Sequence, residues 1–143
     1  MKGFSKYKIL KEQKLIILFN QGNIDINDIK LCRERIINDK DFEPSYNLLL
    51  DLRYSKLKTT VDDVKEFGFF ITENRELNKE SIKVLLTNNP ENVVYTLFLK
   101  SSIENDHYSY KILSSLAGSL SHLGVNKKYL YLVEDEIKQM TED

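Results

Sequence analysis

The sequence predicts an α/β fold, with helices packed on a mixed, mostly parallel sheet of about five strands that begins with a β-hairpin. Short apolar runs alternate along the chain with segments whose apolar residues recur at helical spacing, as in strand–helix–strand units with right-handed crossovers. The run at Tyr46–Arg53 contains three consecutive leucines, Leu48 to Leu50. An unbroken apolar run of this length is typical of a central strand covered on both faces.

The N-terminal segment predicts the hairpin and a first helix. Tyr7–Lys11 and Lys14–Asn20 are two β-type runs separated by a short turn, and residues 21–23 should end the second strand. Asp25 suits the N-cap of a helix that should stop near residues 38–39. Its inner face should carry three isoleucines and either a cysteine or an arginine: Ile26, Ile29, Cys32 or Arg33, and Ile36.

After the central strand, residues 54–58 should form a loop, and Thr59 or Thr60 should cap a second helix. Five residues make its predicted inner stripe: Val61, Val64, Phe67, Gly68 and Ile71. Phe69 and Phe70 widen the apolar arc beyond that stripe. They should either pack under a neighbouring element or lie in an exposed patch.

The rest of the chain predicts two further strands and three helices. A strand at 81–86 precedes a helix that starts at Pro90, where the missing N–H has no cost. Its inner stripe should contain Val94, Leu97, Phe98 and Ser101. Residues 108–113 alternate as in an edge strand, and Ser114 or Ser115 should cap a short helix closed by Gly124. Residues 129–133 fit a strand or a helix, and we favour a helix over 127–140.

Composition bounds the functional classes. The 143 residues predict one domain over residues 1–143, and 21 basic side chains nearly balance 22 acidic ones. We therefore expect neither a nucleic-acid partner nor a field that attracts anionic membrane. No run approaches the ~18 apolar residues that a membrane span needs. Because the start is rich in charge, we expect no signal peptide and a cytoplasmic protein.

Residues suited to catalysis or metal binding are sparse. His107 and His122 are the only histidines and stand in no metal-binding or catalytic motif. Cys32 is the single cysteine, and its helical spacing with isoleucines favours a packing role. We expect no enzymatic activity, no metal and no cofactor.

A cationic cluster follows the central strand. Arg53, Lys56 and Lys58 lead into the predicted helix start at Thr59 and Thr60, where free backbone N–H groups and the helix dipole would suit an anion or an acidic partner surface. The competing interpretation pairs Arg53 with Asp51 or another acid and leaves the lysines solvated.

The element order resembles the STAS-like proteins, which include the anti-sigma-factor antagonists and their SpoIIAA-like relatives. The features that carry this resemblance are a hairpin, a helix introduced by Gly22–Asp25, a Leu-Leu-Leu-Asp-Leu strand, a capped helix after it, and a strand with a short helix at 110–124. The resemblance implies a serine switch at the start of the helix after the central strand, in an Asp-Ser-Ser-Gly setting. This chain lacks that motif and has Thr59 and Thr60 at the corresponding place, with Lys58 where the family is apolar. A phosphorylated Thr60 and a simple N-cap both fit this position.

These observations predict a non-enzymatic domain that docks a protein partner through residues 53–60 and the following helix. A homodimer formed through that helix is compatible with the same pattern. The alternative is a small-molecule or lipid-binding domain with an apolar pocket lined by tyrosines and phenylalanines beside that helix. A third hypothesis, a hydrolase or transferase, would need a base and a nucleophile within hydrogen-bond reach in a cleft. Exposure of Phe69 or Phe70 over a packed interior would favour docking, and a closed pocket of several hundred Å³ would favour a ligand.

Overall fold

The computed structural model describes residues 2–74, 81–102 and 110–141, without the side chains of Phe98 and residues 100–102. It is α/β, as predicted, with one mixed sheet of five strands and five α-helices. The elements in order are β1 Phe4–Leu10, β2 Leu15–Ile24, α1 Ile26–Ile37, β3 Asn47–Leu57, α2 Val61–Glu73, β4 Lys83–Leu86, α3 Pro90–Ser102, β5 Tyr110–Leu113, α4 Leu116–His122, a 3₁₀ turn Lys127–Tyr129 and α5 Leu130–Thr141.

The strands lie in the sheet in chain order, β1-β2-β3-β4-β5. β1 and β2 form the predicted antiparallel hairpin, and every later pair is parallel. Because each crossover advances by one strand in the same direction, the right-handed rule places α1, α2 and α3 on one face. Among the strands that the structure describes, the order never reverses, so their sheet has no topological switch point, the feature that forms the ligand crevice in doubly wound folds.

Two apolar layers cover the two faces of the sheet. Leu48, Leu50 and Leu52 point into the layer formed with α1, α2 and α3. Leu49 points to the other side, into a layer completed by α4 and α5. Alternate residues of β3 therefore feed two separate cores, which is the physical reason for its unbroken apolar sequence.

The predicted helix starts are confirmed where a short polar side chain caps the first turn. Asp25 accepts hydrogen bonds from the backbone of Asn27 and Asp28, and the Asp28 carboxylate accepts one from the Asp25 backbone. The Thr60 and Ser115 hydroxyls accept from the third residue after each cap. Asn89 accepts from the Glu91 backbone in front of Pro90.

The strands β2 and β3 run further than predicted. Residues 21–23 continue β2 to Ile24, and residues 54–57, predicted to be a loop, continue β3 to Leu57. The two segments pair with each other, from Gln21 with Tyr54 to Ile24 with Leu57, so each supplies the backbone partners of the other. The prediction was wrong because the polar side chains of these segments conceal strands whose backbones continue to pair with each other beyond the apolar runs.

The predicted inner face of α1 is confirmed, and both Cys32 and Arg33 are buried there. Two other predictions about inner faces were wrong. In α2, Val61 lies at the exposed margin of the stripe. In α3, Val94 and Leu97 are exposed, whereas the buried face carries Asn92, Thr96 and Leu99. Two polar residues can face inwards here because each has hydrogen-bond partners. Thr96 donates to the Asn92 carbonyl, and the Asn92 side chain donates to backbone carbonyls of β3.

The C-terminal segment is helical, as favoured, with a 3₁₀ turn followed by α5. Val133, Ile137 and Met140 form its buried face, and Tyr131 lies on the opposite side with 79% of its surface exposed. Over the residues that the structure describes, no helix has the length and apolarity to span a bilayer.

Candidate functional site

The carboxyl end of β3 carries a buried ion pair. The Arg53 Nε and Nη2 atoms lie 3.0 Å and 2.9 Å from the two carboxylate oxygens of Asp51, and the Arg53 backbone N–H also donates to that carboxylate. The Asp51 side chain has no exposed surface and the Arg53 side chain is 17% exposed. The pairing interpretation for Arg53 is therefore confirmed.

Arg53 lies on the face of the sheet covered by α5. Its guanidinium carbon is 5.0 Å from the centre of the Tyr54 ring. Arg53 and Tyr54 line an open hollow of about 350 Å³ whose other wall is α5, with Glu134, Ile137, Lys138 and Thr141. We call this the β3–α5 hollow.

Electrostatics hold the guanidinium in its charged form. Burial by itself would lower the pKa of Arg53, but the hydrogen bonds and the negative charge of Asp51 outweigh it, and Tyr54 and Glu134 add to the effect, so the pKa is raised. Arg53 is thus a permanent cation fixed by two side-chain hydrogen bonds and shielded from most solvent.

Asn92 holds the end of β3 from the other face, and sequence reasoning missed it. Its Oδ1 accepts from the Leu57 backbone N–H, and its Nδ2 donates to the carbonyls of Leu52 and Ser55 and to the Thr87 hydroxyl. A buried side chain with this many backbone partners fixes the conformation of a strand end. Asn92 stands two residues after Pro90 in the first turn of α3, and a single asparagine in that position gave no local signal of such a role.

The structure does not assemble the anion cradle considered for residues 53–60. Arg53 turns towards α5 and pairs with Asp51, whereas Lys56 lies 3.9 Å from the Glu91 carboxylate at the start of α3. Lys58 is exposed. The Thr60 hydroxyl accepts from the Asp63 N–H as an N-cap, and the buried Thr59 hydroxyl makes no hydrogen bond within the described part of the chain.

The two phenylalanines after this junction differ in their surroundings. Phe69 is 69% exposed. Phe70 is half-buried: its ring stacks on Phe67 with the ring centres 6.0 Å apart, and the Lys30 amine of α1 lies 5.5 Å from its centre. Of the two residues, only Phe69 presents most of its surface to a partner.

Exposed apolar residues continue onto the neighbouring helix. α2 packs against α3, and on α3 Val94 and Leu97 are each about half exposed. Together with Phe69 and the partly exposed Val61 of α2, they are exposed apolar side chains on two helices that pack together, and we call this set the α2–α3 face. Beneath it, Val64, Phe67 and Ile71 belong to the packed core layer.

A lysine is buried at the opposite end of the sheet, and this too was missed. Lys83 has no exposed surface, and its amine lies 2.8 Å from the Ser81 hydroxyl and 3.2 Å from the Ser81 carbonyl oxygen. Burial, with a smaller effect from the Arg33 charge, lowers the pKa of Lys83 to about 7. The Ser81 hydroxyl and the Lys83 amine are groups of the kinds that form a nucleophile–base pair. Because both residues are buried, a substrate cannot reach them in this conformation.

The other residues whose chemistry suits catalysis do not come together within the described part of the chain. Cys32 is buried in the α1 layer, and burial raises the pKa of its thiol to about 11, which makes it a poor nucleophile at neutral pH. His122 is exposed on α4, and His107 lies outside the described residues. Within ranges 2–74, 81–102 and 110–141, no group of three or more His, Cys, Asp or Glu side chains is placed to hold a metal ion.

Two other hollows bear on the ligand-binding alternative. A cavity of about 10 Å³, no larger than the space that one water molecule requires, lies between α1 and β3 beside Ile36 and Leu48. An open groove of about 440 Å³ lies on the other face, between α4 and the start of α5, and includes Leu120 and Leu130. No protein-family model and no curated protein matches this chain.

Proposed function

We propose that this protein is a non-enzymatic interaction domain, with a fold resembling the STAS-like proteins, that docks a protein partner through the α2–α3 face. The observation that carries the proposal is Phe69, a large aromatic residue with 69% of its surface exposed on a helix whose inner side is packed. Exposed aromatic residues are over-represented among the anchors of protein interfaces. The junction at residues 53–60 leads into α2 through the Thr60 N-cap, and its cations pair with Asp51 and Glu91 and do not converge on one point.

The charges around Phe69 favour a partner of complementary sign. α2 has one basic residue, Lys65, against four acidic ones: Asp62, Asp63, Glu66 and Glu73. An acidic rim around apolar contacts suits a partner surface with apolar residues ringed by lysine or arginine. The same rim opposes a homodimer in which two copies of α2 face each other, because like charges would be brought together.

Two matched variants test the docking face. Phe69→Asp places a charge at the centre of the α2–α3 face, whereas Tyr131→Asp makes the same change at an equally exposed aromatic residue on α5, on the other side of the sheet. Phe70→Asp is unsuitable, because Phe70 packs on Phe67 and its loss would also destabilise the fold. The wild type and both variants would be used to capture partners from the native host, and binding of the identified partner would then be measured with purified proteins.

We expect Phe69→Asp to weaken the purified complex by about 2 kcal/mol or more, the loss typical of an aromatic anchor, which is roughly 30-fold in Kd. Tyr131→Asp should leave Kd unchanged. Equal affinity of the two variants would contradict docking through this face. Sedimentation of the free protein would identify self-association if the captured partner were a second copy of the chain.

The alternative, a small-molecule or lipid-binding domain, requires an apolar pocket beside α2. The packing of Phe67 and Ile71 into the core and the 10 Å³ cavity by α1 give it no support. Native mass spectrometry of protein purified from its host tests it directly. A bound mass that is released on unfolding and has lipid character would favour the alternative over docking.

A further inference from the structure

We infer that the β3–α5 hollow binds a small zwitterionic carboxylate, with the carboxylate on Arg53 and a hydrogen-bond donor such as an ammonium group directed at Glu134. This site lies on the opposite face of the sheet from α2 and does not rest on the docking proposal. The arrangement of the residues that line the hollow has three features of a binding site.

The first feature is that Arg53 binds Asp51 through only one edge of its guanidinium group. The Asp51 carboxylate accepts hydrogen bonds from Nε and from one Nη2 hydrogen of Arg53. Nη1 donates no hydrogen bond in the part of the chain that the structure describes. The edge formed by Nη1 and Nη2 therefore remains open. A guanidinium held in this way can receive a second carboxylate through two parallel hydrogen bonds with little loss of side-chain entropy.

The second feature is a β-bulge. Phe19 pairs with Asp51 but Gln21 pairs with Tyr54, so β3 has an additional residue between these pairs. Consecutive residues of a regular strand point to opposite faces, yet Arg53 and Tyr54 line the same hollow. The bulge brings them together, and bulges are over-represented beside active sites, where they redirect side chains. The Asn20 amide donates to the Asp51 carbonyl oxygen at this point, which fixes the irregular backbone.

The third feature is the charge pattern of α5. Glu134 and Lys138 are one turn apart and both are exposed, and neither has an ion-pair partner within 4 Å among the described residues. With Arg53 they present two positive groups and one negative group to the hollow, while Asp51 is occupied by Arg53. A dianion would be repelled by Glu134, whereas a zwitterion satisfies both signs. The volume of about 350 Å³ lies at the lower end of the range for small-molecule sites.

The test is a titration of the 15N-labelled full chain at low ionic strength with three probes: glycine, acetate and methylammonium. Wild-type protein should show saturable shift changes at the backbone of Arg53 and of α5 with glycine, weaker ones with acetate and none with methylammonium. Glu134→Gln should change the affinities for the two carboxylate probes in opposite directions, weakening binding of glycine, which loses a partner for its ammonium group, and strengthening binding of acetate. Lys138→Gln should weaken both. Lys111→Gln, which removes an exposed cation from the far edge strand, is the matched control and should change neither.

The double variant Asp51→Asn, Arg53→Gln removes both charges while keeping side chains that can hydrogen-bond each other. It should reduce glycine affinity by about tenfold or more, as expected for loss of charged hydrogen bonds. If the double variant fails to fold, the opposite responses to Glu134→Gln decide. Equal glycine and acetate affinities in wild type and Glu134→Gln, or shift changes elsewhere on the chain only, would overturn the proposal.

Discussion

We expect one residue, the buried Lys83, to make the free energy of unfolding depend on pH. An ordinary lysine has a pKa of 10.5, and burial lowers that of Lys83 to about 7. Between these values the unfolded chain binds one more proton than the folded chain, so the free energy of unfolding should rise with pH. Below about pH 7 both states carry the charge, and the contribution no longer changes.

We predict that this rise is absent from Lys83→Met. The contribution of Lys83 is measured by urea unfolding of the wild type and the variant at several values from pH 6 to pH 9.5. It equals the difference between their free energies of unfolding at each pH, because the contributions of groups common to both proteins cancel. Tyr7, whose hydroxyl donates to Asp39 and whose pKa is raised to about 12, is one such group. A constant difference across this range would show that Lys83 keeps its proton in the folded protein.

At the scale of the element, Asn92 connects α3 to the end of β3. Its amide group bonds backbone atoms of Leu52, Ser55 and Leu57, so its removal leaves several buried polar groups without a partner. Asn92→Ala should lower the free energy of unfolding by about 2–3 kcal/mol. Asn89→Ala, which removes a cap at the start of the same helix, should lower it by about 1 kcal/mol. Equal losses in urea unfolding would mean that the Asn92 bonds are replaced by water.

The sequence predicted those parts of each element that depend on local chemistry. Caps such as Asp25 and Thr60 were predicted because a short acceptor and the first turn of a helix are adjacent in the chain. The hairpin and the two-sided burial of β3 followed from the apolar pattern. The inner face of α3 could not be predicted, because its inward Asn92 is satisfied by a strand about 40 positions earlier in the chain.

The candidate site was predicted only in part, because some of its contacts are local in the chain and others join distant segments. The Asp51–Arg53 pair is two residues apart in a strand and was foreseen as the competing interpretation. The lining residues Glu134 and Lys138 are some 80 positions away and reach Arg53 only through the packing of α5 on the sheet. The bulge opposite Asn20 gives no sequence signal, because no glycine or proline accompanies it in β3.

At the scale of the whole molecule, the sequential strand order separates the two proposed surfaces. α1, α2 and α3 cover one face of the sheet, and α4 and α5 cover the other. The α2–α3 face and the β3–α5 hollow therefore lie on opposite sides, although both are supported by β3. The apolar run of the intervening strand is buried on both sides, and the end of the strand is held by Asn92.

We therefore expect the two binding events to be independent. Substitutions without shared contacts have additive free energies, so Phe69→Asp should leave glycine affinity in the hollow unchanged, and Glu134→Gln should leave affinity for the docked partner unchanged. The measurement is a thermodynamic cycle: partner Kd with and without saturating glycine, and glycine Kd with and without the partner. Linkage requires the two ratios to be equal, and independence sets both near one. A common ratio well away from one would show that β3 transmits strain between its two faces, and Asn92→Ala would then be expected to abolish the coupling, because Asn92 joins the end of β3 to α3.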